Sequence, residues 1–169
     1  MFGRGTYHGE EGVVSMNPYD KEKTRQIWKR VLGEEEHVGC RAFDSEQLLE
    51  MIAEEKTRAC FCMELARRTA KGADDLRRLA REISGDAKRL EAVYYLWTGT
   101  GAGAKAGCIP KCACPAEGIR LLYCGTADAA ARYRRTAEEM PEFRACFHAL
   151  AEAKTRQGEQ LCCLLQRYV

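Results

Sequence analysis

Apolar side chains recur every three to four residues over four long stretches of this chain, which is the pattern of amphipathic helices. The first two stretches carry stripes that start at Leu48 and Leu76, a third stretch ends at Met140, and a fourth runs on from Phe143. The pattern predicts an all-α protein without a sheet, with helices over 44–70, 74–97, 119–140 and 142–167 and a short helix over 20–32.

Two segments break this periodicity. Residues 98–118, TGTGAGAKAGCIPKCACPAEG, are dominated by Gly, Ala, Cys and Pro, which indicates a crossover or loop. Residues 1–19 are rich in Gly and polar side chains and indicate a flexible leader. The remainder, 20–169, has a suitable length for one domain with a core of its own.

The two helical pairs look like copies of each other. At a single offset of 71 residues, Ala59 meets Ala130 and Leu79 meets Leu150. Because one offset serves both pairs, we expect two antiparallel hairpins with the same internal arrangement. Two hairpins joined by one long crossover is a connectivity found among four-helix bundles.

The overall charge narrows the set of partners. The 27 basic and 25 acidic residues leave a net charge of +2, which gives no electrostatic basis for binding nucleic acid or an anionic membrane. No apolar run approaches the length of a bilayer span, and the first twenty residues lack the apolar segment of a secretory signal. We therefore expect a cytoplasmic protein without nucleic-acid or membrane partners, and we keep a homodimer open as its assembly.

The chain has ten cysteines, and three of them form a cluster. In a cytoplasmic protein, reduced thiols or a metal site are more expected than a disulfide framework. Cys108, Cys112 and Cys114 form a C-x3-C-x-C run in the crossover, and Cys124 follows ten residues later, so these four are candidate zinc ligands. The spacing differs from that of a standard zinc knuckle, and a reduced or redox-sensitive cluster is the alternative.

Four segments carry a resemblance to a known family. They read LLEMIAEEKTRACFCMELARR at 48–68, DAKRLEAVYYLWTG at 86–99, DAAARYRRTAEEMPEF at 128–143 and LAEAKTRQGEQLCCLLQR at 150–167. These segments resemble the bacterial ferritin-like, rubrerythrin-type family, as does the lead-in NPYDKEKTRQIWKRVLG at 17–33. The resemblance covers most of the chain and implies a ferritin-like antiparallel four-helix bundle with one long crossover and a short N-terminal helix.

Members of that family hold two irons with one Glu from each of helices one and three and a Glu-x-x-His pair from each of helices two and four. The resemblance places these six ligand positions at Glu55, Ile83, Asp86, Thr126, Lys154 and Gln157, and the offset of 71 residues selects the same positions. Only Glu55 keeps the residue type, and a lysine ammonium would repel a metal where a bridging carboxylate should be. The resemblance therefore implies a degenerate site without a di-iron cluster.

Two classes of function remain open at this point. The first is a non-catalytic structural, binding or thiol-bearing module with no catalytic residues and no cofactor. The second is a metal-binding oxidoreductase or iron-handling protein with an altered site at Glu55 and Asp86, to which a cysteine could contribute. We expect Lys154 to replace the metal charge by pairing with Glu55, because a buried acid needs a cation. Asp86 is the second expected partner, and Thr126 and Gln157 are expected to complete the hydrogen bonds.

Overall fold

The computed structural model describes residues 44–168, which form four helices. These are α1 (Ser45–Arg68), α2 (Ala73–Thr98), α3 (Pro115–Glu139) and α4 (Arg144–Leu165), with 3-10 turns at Pro141–Phe143 and Gln166–Tyr168. No strand occurs in this part of the chain, so the all-helical prediction is confirmed for it. The leader predicted over 1–19 and the short helix predicted over 20–32 lie outside the described residues.

Side chains near the helix starts explain where α1 and α3 begin. The carboxylate of Asp44 accepts a hydrogen bond from the backbone N–H of Glu46 at 3.1 Å and caps α1. The third helix begins at Pro115, four residues before its predicted start, because proline suits the first helical position. Oε2 of Glu117 also accepts from the backbone N–H of Ala113 at 2.6 Å. The last four residues of the predicted crossover, 115–118, are therefore helical.

A close approach of α1 and α3 explains the glycine in the first turns of α3. A Cβ on Gly118 would lie 2.5 Å from Cδ2 of Leu65 and 3.1 Å from Sγ of Cys112. At these distances, Leu65 would have to shift to admit a side chain at this position. The packing thus favours glycine, which has no apolar side chain, and the hydrophobic pattern therefore places the helix start too late.

Two clusters of buried apolar residues establish the direction of the helices. One joins the N-terminal halves of α1 and α4 to the C-terminal halves of α2 and α3, and includes Leu48, Ile52, Leu90, Val93, Tyr133, Ala137, Phe147 and Leu150. The other joins the opposite halves, and includes Leu65, Ala66, Leu76, Leu79, Ile119, Leu122, Leu161 and Leu164. The most extensive contacts are α1 with α2 and α3 with α4. Each of these pairs is therefore an antiparallel hairpin.

Residues 99–114 connect the two hairpins and lie along α1. They start where α2 ends, in the first apolar cluster, and finish where α3 starts, in the second, so they follow the length of the helices. Four hydrogen bonds hold them to α1. Lys56 Nζ donates to the carbonyl of Ala104 at 2.6 Å, and Gly107 N–H donates to Thr57 Oγ1 at 2.7 Å. Arg68 donates to Cys112 twice, from Nη2 to its carbonyl at 3.1 Å and from Nη1 to its Sγ at 3.2 Å. Across residues 44–168, no helix combines the length and the apolar composition that a membrane span requires.

Candidate functional site

Lys154 lies at the centre of the helices, half-way along α4, and its side chain is inaccessible to solvent. Its ammonium donates to Oε2 of Glu55 in α1 at 2.7 Å and to Oδ2 of Asp86 in α2 at 3.0 Å. A third hydrogen bond goes to Oε1 of Gln157, one turn along α4, at 2.8 Å. All three N–H donors of the ammonium are therefore used. The pairing of Lys154 with both carboxylates, expected from the sequence, is present in the structure.

Glu55 has two further partners on its other oxygen. Its Oε1 accepts from Nη1 of Arg58 at 2.6 Å and from the hydroxyl of Tyr133 in α3. Burial, reinforced by the negative charge of Glu55, raises the pKa of Tyr133 well above its ordinary value, so this phenol stays a donor. Burial alone would lower the pKa of Arg58, but the negative charges of Glu55 and Glu54 outweigh it and raise that pKa. Glu55 is thus held by a cation even without Lys154.

Asp86 depends more strongly on Lys154. Its Oδ2 accepts from Lys154 and also from Nε2 of Gln157 at 2.8 Å. Its Oδ1 accepts from Arg89 at 3.3 Å, but the Arg89 side chain is 61% exposed, and an ion pair with an exposed partner stabilises little. Lys154 is therefore the buried cation that balances the charge of Asp86.

Thr126 and Ile83 do not join this network. Thr126 is buried, but its hydroxyl has no hydrogen-bond partner, so the expectation that it completes the network is wrong. The contribution of α3 comes instead from Tyr133, seven residues along the same helix. Ile83 is fully buried and packs with the apolar cluster around Leu79 and Ala80.

Arg58 and Tyr133 are the two members of the site that the sequence analysis missed. A signal for Arg58 was present, because it follows Glu55 by three residues and so lies on the same helical face. A weaker signal existed for Tyr133, which follows Thr126 by two helical turns. Neither spacing alone could show that both donors reach the same carboxylate oxygen.

These residues do not fit a di-iron centre. Within residues 44–168, the buried carboxylates are those of Glu55 and Asp86, and the ammonium of Lys154 lies between them. Among residues 44–168, no group of three or more His, Cys, Asp or Glu side chains is placed to hold a metal ion. The oxygens that a metal would use already accept hydrogen bonds from lysine, arginine, tyrosine and glutamine donors.

The four candidate zinc thiols are spread over the connection and α3. Cys108, Cys114 and Cys124 are exposed, whereas Cys112 is half-buried and its Sγ accepts from Nη1 of Arg68 at 3.2 Å. They do not form a group that could hold a metal, so zinc binding there stays a prediction without geometric support. The nine described cysteines are all free, and burial raises the pKa of the Cys62 thiol to about 12.

The buried network reaches the surface on two sides. Towards α3, Arg58 also donates to Glu54 at 2.9 Å, and Arg132 donates to that same Glu54 at 2.7 Å. Towards α4, Asp86 and Gln157 lie in the wall of a groove of about 400 Å³ between α2 and α4. Alternating charges thus extend from Lys154 to the outside of α1 and α3.

Comparisons with known proteins identify no relative of this chain. The chain matches no family model, no curated protein sequence and no solved structure. What can be inferred about its function therefore comes from its own residues and from the geometry of this site.

Proposed function

We propose that this chain is a ferritin-like, rubrerythrin-type four-helix bundle in which Lys154 has replaced the di-iron centre. In this proposal the protein is a non-catalytic structural, binding or thiol-bearing module. The arrangement of the helices supports the assignment, since two antiparallel hairpins are joined by one connection that follows the length of α1.

The observation that carries the proposal is the position of the lysine ammonium. It contacts Glu55, Asp86 and Gln157, which stand at three of the positions where the resemblance places iron ligands. A di-iron centre holds inward carboxylates together by supplying positive charge between them. Lys154 supplies that charge here from the chain itself, so the remaining two acids stay buried without a metal.

The same contacts argue against catalysis at the centre. A catalytic metal site keeps one coordination position open for substrate. Here the carboxylate of Glu55 accepts from three donors and the ammonium of Lys154 donates to three acceptors. Neither the carboxylate of Glu55 nor the ammonium of Lys154 is left to bind or activate a substrate, which favours a structural role for the centre.

Metal analysis of protein from iron- and zinc-supplemented cells tests the proposal. We expect the wild-type chain to carry far less than one metal per chain by elemental mass spectrometry. Stoichiometric metal bound between the helices would favour the second function, a metal-dependent oxidoreductase or iron-handling protein with an altered site at Glu55 and Asp86.

A restored chain provides the matched positive control. Five substitutions rebuild the family's ligand set around Glu55: Ile83→Glu, Asp86→His, Thr126→Glu, Lys154→Glu and Gln157→His. If the six positions are the former ligand positions, the restored chain binds iron while the wild type does not. A restored chain that is helical by circular dichroism but binds no iron would show that the assignment of these positions is wrong.

A further inference from the structure

Lys154 is a buried nucleophile as well as a cation. Its Nζ lies 3.0 Å from Oδ2 of Asp86 and 2.7 Å from Oε2 of Glu55, out of contact with solvent. We propose that Lys154 and Asp86 condense into an amide bond that covalently links α4 to α2. This cross-link rests on the metal-free centre proposed above, because a metal ion on Asp86 would occupy the carboxylate that the amine attacks.

The charges at the centre divide into two neutral pairs, and only one of them can react. Glu55 is balanced by Arg58 at 2.6 Å and receives a further hydrogen bond from Tyr133. Asp86 has Lys154 as its buried cation. Lys154 and Asp86 can therefore lose their charges together without leaving Glu55 unpaired.

Burial and proximity both favour the neutral product. An ion pair inside a protein keeps a desolvation penalty that an amide does not have, so condensation relieves that penalty. Groups held in reacting positions behave as though present at about 10⁵–10⁸ M, which greatly increases the rate of attack. Lys154 and Asp86 are held on two packed helices, so neither has to be ordered before the reaction.

The atoms and charges of the condensation balance within the site. Nζ of Lys154 attacks Cγ of Asp86, an N–C bond forms, and one C–O bond of the carboxylate breaks. Of the three ammonium protons, one stays on the amide nitrogen and two leave with the released oxygen as water. No oxidant, reductant or external proton is needed.

Two neighbours assist this proton transfer. Oε2 of Glu55 accepts a proton from Nζ of Lys154 at 2.7 Å and passes it to the oxygen that leaves Asp86. Oδ2 is the oxygen that leaves, and Nε2 of Gln157 donates to it at 2.8 Å, which assists its departure. Arg89, at 3.3 Å from Oδ1, stabilises the negative charge that develops on the oxygen that stays. The water leaves through the groove between α2 and α4, whose wall contains Asp86 and Gln157.

The intact mass of the full chain tests the cross-link directly. The wild-type protein is denatured and fully reduced before mass spectrometry, so that no disulfide changes the result. We expect its mass to be lower than that of its sequence by one water molecule. Trypsin should fail to cut after Lys154 and should release one branched peptide that joins residues 82–88 to residues 145–156.

Three variants identify the reacting groups. Lys154→Arg keeps a cation but lacks the amine, so its mass should equal that of its sequence. Asp86→Asn should lose one ammonia in place of one water, because the side-chain nitrogen becomes the leaving group. Glu55→Gln removes the proton relay and should form the cross-link more slowly or not at all. Circular dichroism of each variant confirms that it is folded.

The outcomes separate this inference from the proposed function. A folded wild-type chain with the full mass of its sequence and no metal overturns the cross-link alone. The full mass together with stoichiometric metal overturns the cross-link and the metal-free centre. A lost water that maps to Glu55, or a lost ammonia that maps to Gln157, overturns the assignment of Asp86 as the acyl donor.

Discussion

The two hairpins of this protein place opposite chemistry at equivalent positions. At the offset of 71 residues, Glu55 in the first hairpin corresponds to Thr126 in the second, Ile83 to Lys154, and Asp86 to Gln157. The first hairpin thus contributes two buried anions, whereas the second contributes the lysine cation, a neutral amide and a hydroxyl. Asp86 finds its buried cation only in the second hairpin, so the centre is complete only when the two hairpins pack together.

This asymmetry distinguishes the centre from a metal site. A di-iron bundle has two like-charged halves that are held together by the ions between them. Here the first hairpin carries the two buried acids, Glu55 and Asp86, and the second carries Lys154. Three hydrogen bonds from Lys154 and Gln157 to these two acids cross between the hairpins. The specificity of hairpin pairing is therefore encoded in side chains and should respond to single substitutions.

The largest expected effect is the loss of the cation from the second hairpin. Lys154→Met should lower the free energy of unfolding by about 3–5 kcal/mol, because it leaves two buried carboxylates without their shared partner. Urea denaturation followed by circular dichroism measures this difference. The matched control is Lys88→Met, an exposed lysine on α2, which should change stability by less than about 0.5 kcal/mol. A Lys154→Met variant as stable as the wild type would contradict the conclusion that the two hairpins depend on each other.

The next largest effect is the difference in stability that is recovered when one or the other acid of the first hairpin is neutralised. In the Lys154→Met background, neutralising Asp86 should recover more stability than neutralising Glu55, because Glu55 keeps Arg58 and Tyr133 while Asp86 has no other buried cation. We expect the Asp86→Asn double variant to exceed the Glu55→Gln double variant by about 2 kcal/mol. Urea titrations of both double variants measure this difference. Equal recovery of stability would show that the two acids depend equally on Lys154.

A smaller effect concerns the one hydroxyl that the second hairpin gives to Glu55. Tyr133→Phe keeps the ring in the core but removes a hydrogen bond to a buried carboxylate, which should cost about 1–2 kcal/mol. Tyr95 in α2 is 59% exposed, so Tyr95→Phe is the control and should leave the melting temperature unchanged. A Tyr133→Phe variant as stable as the control would mean that Arg58 and Lys154 suffice for Glu55.

The smallest expected effect is that of the Cys62 thiol on stability, which is absent at neutral pH and appears only at alkaline pH. Burial raises the pKa of Cys62 from 9.0 to about 12, so the unfolded chain loses this proton before the folded chain does. The protonated thiol of Cys62 therefore contributes fully to the free energy of unfolding below about pH 9, and this contribution is lost progressively as the pH rises towards 12. Cys62→Val should make the alkaline fall in stability shallower in urea titrations at about pH 8 and about pH 10. Cys60→Ala, at an exposed site on α1, should leave it unchanged.

Much of this architecture could be predicted from periodicity, and the failures have physical causes. Helical spacing identified the four helices, and the charged residues on apolar stripes identified Lys154 with Glu55. The start of α3 was misplaced because close packing against Leu65 favours Gly118, which has no apolar side chain. Tyr133 was missed because the sequence shows the face of a helix but not which side chain reaches across to a neighbour.

The anchoring of residues 99–114 to α1 has a consequence for how the chain length can vary. Thr57 and Arg68 are eleven residues apart on α1, roughly 16 Å at the rise of a helix. The segment between their partners Gly107 and Cys112 can span at most about 17 Å when fully extended. The slack in that segment therefore comes from the reach of the Arg68 side chain, which donates the hydrogen bond to Cys112. Deleting one residue there should strain the two anchors, which faster hydrogen exchange at Gly107 would report, whereas an insertion would only bulge into solvent.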